Sequence, residues 1–206
     1  METMNAVLTR RSIRTFHPEP VEPLAIRTMI EAAMYAPSAG NQAPWRFVLI
    51  QNRETLMAIR RDHPYASALE TAPMAILVCG ATGDLPHPEF WSVDCAAATE
   101  NLMLAAKDLG LGSVWIGLYP RRERMSALTS MLKLPADVEP FALIPVGHPM
   151  ENVEEPQRYR PEWIRSEQWF EPWAPGRLDL KAEAEKQAEE RKIAEALKRR
   201  DSGLHD

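Results

Sequence analysis

Apolar residues recur at helical spacing between Pro23 and Tyr35, at Leu24, Ile26, Met29, Ile30, Ala33 and Met34. Pro37 and Gly40 stop that helix. A shorter helical pattern covers Glu2 to about Arg10. Arg46-Phe47-Val48-Leu49-Ile50 is a short β-like run, and Asn52 is placed to cap a helix reaching about Arg61. Pro73 to Gly80 is continuously apolar, the pattern of a strand buried on both faces. Phe90 to Leu109, rich in alanine, predicts a long helix closed at Gly110. Ser113 to Tyr119 and Phe141 to Gly147 read as strands, with a helix between them from Arg121 to Leu132. Helices and strands mix throughout, which argues for a layered α/β or α+β domain.

The pattern changes after Pro149. Glu151 to Pro175 is rich in proline and tryptophan and reads as a strap without regular structure. From Arg177 onward eight basic and eight acidic residues cancel, and large apolar residues are few. Glu195 stands four positions before Arg199, a stabilising helical pair. A solvated helix is expected there, either packed weakly or reaching a partner subunit. The division expected is a domain over 1–170 and a charged helical extension over 171–206.

Composition narrows the function classes. The chain has 206 residues, 45% hydrophobic and 26% charged, enough for one domain with an appendage. The net charge of -5 speaks against a general nucleic-acid binder, and basic clusters that would dock on an anionic membrane are lacking. The longest apolar run, Ala72 to Ala81, is about half of what spans a bilayer. The first residues show no secretory signal pattern, and the expected location is the cytoplasm. Two cysteines, Cys79 and Cys95, form no disulfide framework and read as buried small hydrophobes. Four of the five histidines precede proline, which favours turns over paired metal ligands. No metal site is expected, and no catalytic side chain is assigned. The sequence carries no G-x-G-x-x-G after a strand, no P-loop, no H-E-x-x-H and no G-x-S-x-G.

Three segments hold candidate chemistry. Arg10-Arg11-Ser12-Ile13-Arg14 gathers three guanidinium groups and a hydroxyl, which suits a phosphate dianion. If helical, Arg10 and Arg14 share a face, and the arginines equally fit a helix end whose carbonyls they satisfy. Pro37-Ser38-Ala39-Gly40-Asn41-Gln42 is a polar loop of small residues that lets backbone approach a flat ligand. There Asn41 and Gln42 each offer a donor and an acceptor, a match for an imide edge, and an ordinary turn is the alternative. Gly110-Leu111-Gly112-Ser113-Val114-Trp115-Ile116-Gly117 joins helix to strand, and Gly117 at a strand end brings an N–H against a ligand or simply closes a core strand. Arg158 is a lone arginine in the strap.

In combination these segments resemble the nitroreductase-like FMN-dependent oxidoreductases. The features are R-R-S-x-R, P-S-A-G-N-Q-x-P-W near position 40, G-L-G-S-V-W-I-G near 115, then V-G-H-P followed by Arg158. The resemblance spans roughly Met1 to Trp169. It implies an α+β fold with a central, mostly antiparallel sheet surrounded by helices. It also implies a homodimer with a domain-exchanging C-terminal segment and FMN at the interface. Arg10, Arg11, Ser12 and Arg14 would hold FMN phosphate, ribityl or the pyrimidine edge, and Arg158 would be a further phosphate ligand. Pro37, Ser38, Ala39 and Asn41 would reach the same flavin from the other subunit. Ile116 and Gly117 would lie near the isoalloxazine, with Gly117 backbone near N5. Two departures bear on the substrate: His148 stands where many members have tyrosine, and Arg165-Ser166 where the family often has histidine.

The implied reaction passes a hydride from NADH or NADPH to the flavin and electrons onward to a nitroaromatic, quinone or similar small acceptor, in ping-pong order. The alternatives are a relative that dehalogenates its substrate or fragments its flavin, a non-catalytic flavin-binding or redox-sensing module, and a cofactor-free protein that interacts through its helical tail. The first needs lid residues that are not identifiable in Leu85 to Trp91. The second binds FMN without oxidising NAD(P)H, and the third is colourless.

Overall fold

A computed structural model describes residues 3–173 and residue 189. The chain divides into two compact units, Arg10–Val153 and Met1–Thr9 together with Glu154–Asp206. The helix expected after Arg177 lies outside the described residues.

The larger unit is built on β2 (Met74–Ala81) and β5 (Val138–Gly147), which pair antiparallel at the centre of a five-stranded sheet. β1 (Trp45–Ile50) pairs antiparallel with the outer side of β2. On the far side of β5 lie β3 (Gly112–Ser113) and β4 (Ile116–Gly117), again antiparallel. The uninterrupted apolar run of β2 is explained by burial on both faces. Met74, Ile76 and Val78 enter one core layer, and Ala75, Leu77 and Cys79 the other. The first layer is covered by α2 (Pro23–Met34) and α4 (Trp91–Asp108), the second by α3 (Arg53–Asp62) and α5 (Arg122–Leu132). The α+β reading with a mostly antiparallel sheet between helices therefore holds.

Local signals set the boundaries. Asn52 accepts a hydrogen bond from the Thr55 N–H at 3.0 Å, the expected N-cap of α3. Gly110, at φ +76°, takes the left-handed conformation that ends α4. The other unit holds α1 (Thr3–Thr9) and a strap whose regular structure is one short 3-10 turn, Pro161–Trp163, among the described residues.

Two expectations need correction. The continuous strand expected over Ser113 to Tyr119 is two pieces, β3 and β4, in one register on β5. The break falls opposite Pro145. Its carbonyl accepts from the Val114 N–H at 3.4 Å, so its nitrogen faces the same way and has no proton to donate. The helix at the N-terminus ends at Thr9, and Arg10 to Arg14 run outside any helix, so Arg10 and Arg14 do not stack one turn apart.

The central residue Leu77 is fully buried. Leu77→Ala should lower the unfolding free energy by about 2–5 kcal/mol in urea titrations. A loss below about 1 kcal/mol would show the second layer to be looser than described.

Candidate cofactor site

In an antiparallel ladder, residues alternate between those bonded to the neighbouring strand and those whose N–H and C=O face away from it. The Leu118 N–H donates to the Phe141 carbonyl at 3.2 Å, which places Leu118 in the inward class. Ser113, Trp115 and Gly117 therefore turn their peptide groups to the open side. The Ser113 carbonyl accepts from the Ile13 N–H at 3.0 Å, and Ser12 bridges Ser113 in parallel. The Gly117 carbonyl accepts from Arg124 Nη1 at 3.1 Å. Its N–H faces the same side as that carbonyl, and out of the sheet plane a Cβ at Gly117 would meet nothing within 4 Å.

The arginine-rich segment is thus an added neighbour of β3, on the side of β5 that also carries Gly117. Gly112 makes the approach possible, because a Cβ there would lie 2.8 Å from the Ile13 side chain. Thr15 and Phe16 continue along 148–151: the Met150 N–H donates to the Thr15 carbonyl at 2.9 Å, and Glu151 Oε1 accepts from the Arg14 and Thr15 N–H groups. Arg10 Nε donates to Glu100 Oε1 at 3.1 Å, so α4 neutralises that cation. Arg14 is exposed and donates to the Ser12 carbonyl at 3.3 Å. Two segments far apart in sequence, Arg10–Arg14 and Ile116–Gly117, are brought to one sheet edge.

The loop from Pro37 to Asn41 is held elsewhere in the unit, on the first turn of α4. Ser38 to Asn41 close a 3-10 turn, and Gly40, Asn41 and Ala43 all take positive φ, at 53°, 57° and 43°. Such backbone persists only where neighbours fix it. Asp94, 4% exposed, does so. Its Oδ1 accepts from the Ala39 N–H at 2.9 Å and its Oδ2 from Gln42 Nε2 at 2.7 Å. The Gln42 amide also donates to the His87 carbonyl and accepts from the His87 N–H, both at 3.0 Å. Gln42 is therefore committed to the loop and does not read an imide edge, whereas Asn41 stays exposed. Among the described residues no hydrogen bond joins this loop to Arg10–Arg14. Arg158, in the smaller unit, is exposed and outside any helix or strand.

Three residues around the site escape sequence reasoning. Asp94 carries no signal beyond a carboxylate in the first turn of a helix. Arg124 sits one turn into α5, with its guanidinium 5.0 Å from the centre of the Tyr65 ring. His63, one of the proline-preceding histidines, is 2% exposed and not a surface turn residue. Its Nδ1 accepts from the Tyr65 N–H at 3.2 Å, and its Nε2 is buried without a hydrogen-bond partner. Burial, and then the Arg124 charge, hold its pKa below the ordinary 6.5, against an opposing pull from the Gly117 and His63 backbone.

The arrangement fits FMN. An outward-facing peptide N–H at a sheet edge suits the rim of a flat heterocycle, and the arginine-rich segment docked on β3 of that edge suits a phosphate. Among the described residues no group of three His, Cys, Asp or Glu side chains could hold a metal ion.

Asp94→Ala removes two bonds to a charged acceptor and should cost about 2–4 kcal/mol in urea unfolding, with the Ala39 N–H losing its protection from exchange. For His63 the sign follows from the lowered pKa. As pH falls through 6.5 the unfolded chain takes up a proton that the folded chain refuses, so stability falls with acidification. Urea titrations at about pH 7.5 and about pH 5.5 should show part of this loss abolished in His63→Gln, and an identical loss in both proteins would contradict it.

The model of the Nitroreductase family matches residues 7–62 and 53–148. A relative from Methanothermobacter thermautotrophicus, named "Putative NADH dehydrogenase/NAD(P)H nitroreductase", is 40% identical over 169 residues, 82% of this chain and 88% of the relative. A crystal structure of a protein with the same name from Parabacteroides distasonis superposes with a TM-score of 0.78 at 36% identity, covering 81% of this chain and 98% of that one. A "putative nitroreductase in complex with fmn" from Desulfovibrio desulfuricans gives a TM-score of 0.71 at 28% identity, over 82% of this chain and 98% of that one. The family model covers most of the chain and the relatives match it over four fifths of its length, and the chain belongs to the nitroreductase family.

Proposed function

We propose that this protein is an FMN-dependent NAD(P)H oxidoreductase acting as a homodimer. The observation that carries the reading is the outward-facing Gly117 N–H of β4, on the same side of β5 as β3, which docks Arg10–Arg14 through Ser113. The names of the relatives support it, since one is called an NAD(P)H nitroreductase and another was crystallised with FMN. FMN, when bound, supplies the redox chemistry, taking a hydride from NADH or NADPH and delivering electrons to a nitroaromatic, quinone or similar acceptor.

The chain's own residues bind and orient. Arg11, Ser12 and Arg14 offer donors for phosphate and ribityl oxygens, with Arg10 held beside them by Glu100. Ile116 and Gly117 offer backbone to the ring, and Arg158 is a further phosphate ligand in this reading. Pro37, Ser38, Ala39 and Asn41 serve the partner's site. Their loop is held rigid by Asp94 and lacks a hydrogen bond to its own chain's Arg10–Arg14 among the described residues. One binding face serves both donor and acceptor, so the donor leaves before the acceptor enters, a ping-pong order.

The dimer reading rests on α4, a helix apolar on nearly every side. Its inner face fills the core, with Ala96 and Ala97 packed against it, while Val93 is 61% exposed and Leu104 is only half-buried. Trp163, Trp169 and Phe170 of the strap are exposed as well, the kind of surface that a partner covers. The proposal includes exchange of the C-terminal segment between subunits, with an FMN-binding domain over 1–170 and a charged extension over 171–206. Among the described residues no helix is long and apolar enough to cross a membrane. The free thiols Cys79 and Cys95 accord with the reducing cytoplasm.

The deciding measurement is the absorption spectrum of the purified protein before and after anaerobic NAD(P)H addition. A flavin band that bleaches is expected. A band that persists indicates a flavin-binding module instead, and a colourless protein that takes up no FMN refutes the reading. Arg14→Ala should weaken FMN retention about tenfold or more with the fold intact, the scale of one lost charge-assisted contact.

A further inference from the structure

Gly117 is the residue on which the cofactor reading turns, and it lies at the end of a two-residue strand interrupted just before it. A glycine there has the greatest backbone freedom and no side chain to anchor it. Something outside the ladder has to hold its peptide groups. The group that meets its carbonyl comes from α5, on the layer of the sheet opposite α4.

We propose that Arg124 is a positioning residue for the cofactor: its bond to the Gly117 carbonyl fixes the backbone that presents the Gly117 N–H at the sheet edge, and its charge stands beside the FMN bound there. The inference rests on the FMN reading of the Gly117 edge. Four observations carry it. Arg124 Nη1 lies 3.1 Å from the Gly117 carbonyl. Its own backbone is tied to the same stretch, because the Arg121 N–H donates to the Leu118 carbonyl at 2.8 Å and the Arg124 N–H to the Arg121 carbonyl at 3.0 Å. The Tyr65 ring, 5.0 Å from the guanidinium carbon, covers its face. No carboxylate pairs with Arg124 among the described residues, in contrast to Arg10, whose partner is Glu100.

His63 completes the clamp. Its imidazole is buried, senses the Gly117 backbone without a hydrogen bond from Nε2, and stacks edge-on against Tyr65, with ring centres 6.2 Å apart. Burial and the neighbouring guanidinium keep it uncharged at neutral pH, so the positive charge of this clamp is carried by Arg124. A positive charge close to a group that gains electrons makes that gain easier, and more so where water is excluded. Arg124 therefore raises the reduction potential of the bound cofactor as well as orienting its partner peptide.

The test compares Arg124→Gln and Arg124→Lys with the unaltered FMN-loaded protein, by the midpoint potential of the bound flavin and by amide exchange at Leu118 and Tyr119. Arg124→Gln should bind FMN with a more negative potential and exchange these amides about tenfold faster, the scale of one lost bond to a charged donor. Arg124→Lys should keep the potential close to the unaltered value and serves as the check that the fold survives. An unchanged potential in Arg124→Gln, or equal shifts in both variants, overturns the electrostatic role. Unchanged exchange in Arg124→Gln overturns the clamp. A protein that takes up no FMN refutes the cofactor reading itself, and the exchange measurement then still decides whether Arg124 holds the carbonyl.

Discussion

The alternation of peptide groups along residues 112 to 117 governs the rest of the site. β5 is paired along its whole length with β2 but offers its other side to a neighbour only six residues long, broken opposite a proline that cannot donate. That neighbour pairs inward at every second residue and outward at the others. Its outward groups are then shared out along one edge. Ser113 receives the arginine-rich segment, Gly117 receives Arg124, and the Gly117 N–H points away from β5. Paired on both sides, the same strand would add to stability and could not approach a ligand.

The long helix α4 connects this edge to the remaining elements. Its inner face packs on β2 and β5, its Asp94 holds the loop carrying Ser38 and Asn41, and its Glu100 holds Arg10. A single helix therefore holds both segments, between which no hydrogen bond runs among the described residues. Its low amphipathicity accords with the proposed second subunit on its outer side.

Much of this was legible in the residues. The helical spacing in Pro23 to Tyr35, the Asn52 cap and the apolar run of β2 translate directly into elements, because each signal is local and nothing opposes it. The order of motifs also led to the family. What stayed hidden depends on partners distant in sequence. The split between β3 and β4 is caused by Pro145, some thirty residues away. Arg10 to Arg14 leave the helical reading because Ser113 offers a bond that a helix would forgo. Gln42 looks like a ligand-reading amide until His87 and Asp94 are seen to occupy it. His63 and Arg124 are ordinary in sequence and gain meaning only where α3, α5 and β4 converge.

The two thiols have a consequence for the chemistry this fold supports. Cys79 and Cys95 are fully buried, and burial pushes each up to about 12. Oxidation of cysteine begins with the thiolate, which is then present in about one molecule in 10⁵ at neutral pH. FMN, when bound and reduced, would release peroxide on meeting dioxygen. With both sulfhydryls buried in the sheet and the central helix, the chain would offer such a by-product no ready sulfenate-forming target at these positions.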